Sequence, residues 1–136
     1  MTIKFDENKQ KVFGLDNINL QEHIYIVEGP IDSMFIDNCL AAGGADLTLR
    51  VSPDNVTYIF DNEPRNKEII KRMYDVVDKD YNLVVWPEDM RHKDINDIII
   101  SGTSKAELLD LLNKNTYSKL SALIKLNDYN KVQEDI

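Results

Sequence analysis

Hydrophobic positions along the chain fall into short unbroken runs separated by stretches with helical spacing. The runs Ile24-Tyr25-Ile26-Val27, Cys39-Leu40-Ala41-Ala42, Val56-Thr57-Tyr58-Ile59-Phe60 and Leu83-Val84-Val85-Trp86 lack the alternation of a half-wet strand. Strands buried on both faces, as in a parallel sheet covered by helices, carry such runs. Between them, Ile31, Met34, Phe35 and Asn38 follow Pro30 with helical spacing, and Ile69, Ile70, Met73, Val76 and Val77 form the apolar face of a helix that Pro64 starts, leaving Arg65, Lys67, Lys71 and Arg72 on more exposed positions. The resulting β-α-β-β-α-β alternation predicts an α/β fold with a mainly parallel four-stranded sheet flanked by helices.

Polar segments frame this core. Residues 1–23 read as a lead-in with one short strand or turn around Val12-Phe13-Gly14-Leu15-Asp16, and Gly43-Gly44 as a tight turn after the second strand. Residues Leu47 to Pro53 are ambiguous, and Pro53-Asp54-Asn55 is a turn. After the fourth strand a charged loop enters a short helix, Ile98-Ile99-Ile100, that Gly102 stops. Thr103 or Ser104 caps a leucine-striped helix, and a last helix runs from about Tyr117 to Tyr129 before a frayed tail. One domain is expected: lead-in 1–23, core 24–102 and C-terminal helical extension 103–136.

Acidic residues end the strands. Glu28 follows the first, Asp61 and Glu63 the third, and Asp94 and Asp97 come after the fourth. In a parallel sheet these ends share one edge, where open α/β sheets bind ligands. Carboxylates crowded there repel one another unless a divalent cation sits among them, and oxygen donors alone suit Mg²⁺ or Mn²⁺, not zinc. Gly29, directly after Glu28, permits close backbone approach or an unusual φ. Asp32 either caps the first helix or joins the site. His92 is lone and exposed, and Tyr58, Trp86 and Cys39 are packing residues.

Composition narrows the field. The 24 acidic and 16 basic residues give a net charge of −8, which opposes broad binding to nucleic acid phosphates. Work on polynucleotides then needs bound cations, a local basic patch, or another domain or subunit. No apolar run approaches the roughly 20 residues that span a bilayer, and the first residues form no signal core, so a cytoplasmic location without a membrane partner is expected. Neither a dinucleotide-type nor a P-loop glycine motif is present. Receiver-type and dehalogenase-type phosphoryl sites want paired acids after the first strand, where this chain has a single glutamate.

Three segments in order, Val27-Glu28-Gly29-Pro30-Ile31-Asp32-Ser33, Asp61-Asn62-Glu63-Pro64-Arg65-Asn66 and Lys93-Asp94-Ile95-Asn96-Asp97, resemble the motifs of a Toprim domain. They are most similar to the C-terminal part of the primases of T-even-type tailed phages, over about Val12 to Tyr129. The resemblance implies a Rossmann-like Toprim fold. It implies Glu28 as general acid/base or as the group that orients the attacking hydroxyl, Asp61 and Glu63 with Glu28 at catalytic Mg²⁺ (or Mn²⁺), and Asp94 or Asp97 assisting through water or from beyond the ligands. Arg65, Lys67, Arg91 and Lys93 lie beside the acid motifs as candidates for nucleotide or template phosphate contacts, Lys93 being favoured by its motif. The chemistry implied is Mg²⁺-dependent nucleotidyl transfer that makes RNA primers. Ribonucleoside triphosphates, a single-stranded DNA template and a replicative helicase or the remaining primase domains would be partners, in the host cytoplasm. The chain departs from the pattern at Glu63, where relatives have aspartate, and at Pro64, where they have small residues. It lacks the zinc-binding and basic polymerase regions of such primases, which implies a fragment or remnant. A Toprim nuclease that hydrolyses phosphodiesters and a helicase-docking module are the alternatives.

Overall fold

The computed structural model describes residues 14–42 and 51–134. The strand or turn expected at Val12-Phe13, the turn at Gly43-Gly44 and the ambiguous residues 47–50 lie outside the described residues. Strands β1 (Ile24–Val27), β2 (Cys39–Ala41), β3 (Val56–Ile59) and β4 (Asn82–Val84) fall on the four apolar runs, β2 and β3 ending one residue short and β4 starting one residue earlier and leaving out Val85 and Trp86. They stand in the order β2-β1-β3-β4, all parallel. A fifth strand, β5 (Thr116–Tyr117), pairs antiparallel with β4 and was not expected. The fold is therefore α/β with a mostly parallel, Rossmann-like sheet, one short strand larger than the sequence pattern suggested.

The sheet is buried on both sides, as the unbroken runs require. Ile24, Ile26, Leu40, Ala42 and Val56 pack on one face with Leu15, Ile18 and Val51. Val27, Ile59 and Val84 face the other side, against Met73 of helix α2 (Lys67–Asp78), Leu108 and Leu112 of α4 (Lys105–Lys114) and Leu126 of α5 (Lys119–Glu134). Helix α2 begins three residues after Pro64, because the Asn66 side chain accepts from the Glu68 and Ile69 amides at 3.1 and 3.2 Å and so sets the first turn. Helix α5 continues to Glu134, past the expected end at Tyr129.

The first helix differs most from expectation. Helix α1 is one turn, Pro30–Ser33, with Pro30 in its first turn. Ile31 and Met34 are exposed, while Asp32 and Ser33 are buried. The Asp32 carboxylate is drawn inward because it accepts from the Asn96 backbone N–H at 2.9 Å, which rotates the apolar pair outward. The chain then leaves the helix through Asn38, at φ 53°, whose side-chain amide donates to the carbonyls of Asn19 and His23.

Candidate metal centre

Sheet topology selects the position of the centre. From β1 the chain leaves through α1 toward β2, and from β3 it leaves through α2 toward β4, so the two connections part between β1 and β3. Such a switch point opens a crevice at the carboxyl ends of the strands. Val27 pairs with Ile59 in register, which puts Glu28 and Asp61 on either side of that crevice.

Four carboxylates meet there. One oxygen from each of Asp32, Asp61 and Asp94 lies within 4.8 Å of the others. Glu28 reaches Asp61 and accepts a hydrogen bond from its carboxyl. Burial, then the charges of Glu28, Asp32 and Asp94, push Asp61 up to about 7. Asp32 is raised above its ordinary range by burial and by Asp94, Glu28 and Asp97, while the Asn96 N–H works in the opposite direction. Helix α3 (Ile95–Ile100) supplies both that N–H and Asp94, its N-cap, whose carboxylate accepts from the Asp97 amide at 2.8 Å. Three hard oxygen donors whose mutual repulsion a divalent ion would relieve fit Mg²⁺ or Mn²⁺ well.

The other residues singled out in the sequence lie around this group. Glu63 stands outside the three-acid set, with its carboxylate 3.7 Å from the Lys93 ammonium. Arg65 and Asp97 are exposed. Gly29 has an extended backbone at φ −111°, and a Cβ there would meet Asp32 at 3.8 Å, an ordinary contact; the unusual φ is not found. Trp86 is buried and donates to the Phe60 carbonyl at 2.8 Å, a packing role as read.

Three participants were missed or left open. Asp32 belongs to the acid group and makes no cap, since Gly29 occupies that position without a side-chain bond. Arg72, assigned to an exposed position, pairs with Glu28 at 2.9 Å and lies 5.1 Å over the Phe60 ring. The available signal was its place between Ile69 and Met73, at the border of the apolar stripe. Asn62 carries no charge and gives no sequence signal between its two acidic neighbours, yet it bonds to the loop before α3 and to α5.

No family profile matches the chain. It is, however, 33% identical over 136 aligned residues, 97% of its length, to the DNA primase of Enterobacteria phage T4. The chain therefore resembles part of a phage DNA primase. The chain spans 40% of the length of that phage protein. The likeness agrees with the one the three motifs carried, and it crosses every strand end at which this chain holds a carboxylate.

Proposed function

We propose that the chain is the catalytic Toprim domain of a phage-type DNA primase, which joins ribonucleotides on a single-stranded DNA template in the host cytoplasm. The observation that carries this reading is the meeting of Glu28, Asp32, Asp61 and Asp94 at the β1/β3 switch point, in a chain similar to a phage DNA primase. Asp32, Asp61 and Asp94 would hold Mg²⁺, with Glu63 able to join them by leaving Lys93. When bound, the ion neutralises charge on the transferring phosphate.

The chain's own groups do the rest. Glu28, held at one oxygen by Arg72, takes the proton of the attacking hydroxyl. Lys93 and Arg65, at the rim, contact phosphates. Asp97 keeps Asp94 in place through its amide. The exposed Leu109, Leu120, Leu123 and Ile124 of α4 and α5 favour an accompanying contact with a helicase or the rest of a primase.

The test is a Mn²⁺ titration of the wild type and Asp61→Asn, followed by calorimetry. The variant is expected to lose at least about tenfold in affinity. Equal affinity in both removes the metal assignment, and with it the nucleotidyl-transfer reading. Release of labelled fragments from DNA with Mg²⁺ and no nucleotide would favour the nuclease alternative instead.

A further inference from the structure

We infer that Asn62 is a positioning residue that locks the loop bearing Lys93 and Asp94 onto the end of β3, and so sets the spacing of the acid group. Its consequence for metal binding rests on the function proposed above; its geometry does not. An asparagine side chain has two amide hydrogens and one acceptor oxygen. Both hydrogens of Asn62 go to the loop, to the Met90 and His92 carbonyls, each at 3.1 Å. Its backbone N–H donates to the Lys93 carbonyl. The Asn62 oxygen accepts from the Tyr129 hydroxyl of α5 at 3.0 Å.

Every polar bond of this side chain therefore has one purpose. Its donors hold the loop and also fix which way the amide faces, since a flipped amide would set its oxygen against two carbonyls, whereas the Tyr129 hydroxyl can donate or accept and here donates. Asp94 directly follows the held loop and opens α3, the helix that also supplies the N–H to Asp32. Two of the three clustered acids thus take their place from α3, and Asn62 ties that helix to the third, its neighbour Asp61. No other side chain does this as well. Aspartate would oppose carboxylate to carbonyl oxygens, and glutamine is a methylene too long.

The test uses the full chain as wild type, Asn62→Ala, Tyr129→Phe and Asp61→Asn, with amide hydrogen exchange and Mn²⁺ affinity as readouts. In Asn62→Ala, exchange across residues 90–94 is expected to rise at least about tenfold while α2 keeps its rate, and Mn²⁺ affinity to fall about tenfold. Tyr129→Phe, which deletes a single hydroxyl and stands in if Asn62→Ala does not fold, moves both readouts in the same direction by less. Unchanged exchange in the loop, or a rise spread evenly over the molecule, overturns the inference. So does unchanged Mn²⁺ affinity in a chain whose wild type binds the ion. A wild type that binds no Mn²⁺ refutes the metal reading by itself, and the exchange pattern then decides for or against Asn62.

Discussion

The Glu28–Arg72 pair joins the crevice to the core beneath it. Arg72 is held twice, by the carboxylate and by the face of Phe60, so its planar cation is both a counter-charge and a packing element. The side chains retain only 31% and 17% of their exposure, which removes the pair from the weak surface class. Arg72→Met keeps an apolar stem over Phe60 but takes from Glu28 its counter-charge among acidic neighbours. A loss of about 1–3 kcal/mol in urea unfolding is expected, and Glu28→Gln in the same chain should recover part of it. A second residue sets a pH dependence away from the acids. Partial desolvation lowers His23, an exposed residue, below its ordinary 6.5, and its Nε2 is hydrogen-bonded to the Thr57 hydroxyl at 2.7 Å. The unfolded chain therefore binds this proton more readily, and the contribution is complete above 6.5 and lost as pH falls through the folded value. Melting curves on the acid side of neutrality should fall less steeply for His23→Gln than for the wild type. Equal slopes would remove His23 from the account.

Among the elements, α4 begins with two reciprocal bonds. The Ser104 hydroxyl accepts from the Glu107 amide and the Glu107 carboxylate accepts from the Ser104 amide, each at 3.1 Å. Ser104→Ala should cost about 1 kcal/mol and speed exchange in the first turn of α4 only. This helix entry was legible, with Thr103 and Ser104 both open as its cap, because the signal is local: hydroxyl residues shortly before a glutamate, ahead of a leucine stripe, and the structure selects Ser104. Helix α2 and the four parallel strands were legible for the same reason, since periodicity and run length report burial directly. Helix α1 was misread because a distant partner decides its orientation. One bond from Asn96 to Asp32 outweighs the apolar spacing of Ile31 and Met34, and nothing within residues 30–38 announces it. Strand β5, at two residues, carries too little pattern to be seen. In the site, acids at strand ends could be read as neighbours, but which of them meet depends on loop course. Asp94 joins Asp61, while Glu63, though only two residues from Asp61, turns to Lys93.

For the molecule as a whole, the question is how a chain of net charge −8 would meet a polyanion. A basic surface would bind phosphates through counterion release, with affinity that depends on salt and little on divalent ions. Here the bases near the crevice are already engaged or few: Arg72 is on Glu28, Lys93 is beside Glu63, and Arg91 stands exposed at the loop. Facing them are four carboxylates that repel phosphate as strongly as they attract cations. Divalent ions at the crevice would offset much of this negative charge and offer phosphate oxygens a direct ligand position. Retention of a short single-stranded oligonucleotide should therefore be negligible in chelator, appear on addition of Mg²⁺ or Mn²⁺, and disappear again in Asp61→Asn. Fluorescence anisotropy at low and moderate salt measures all three states. Binding in chelator as tight as with Mg²⁺ would place phosphate recognition on the surface bases and leave the acid crevice without a part in it.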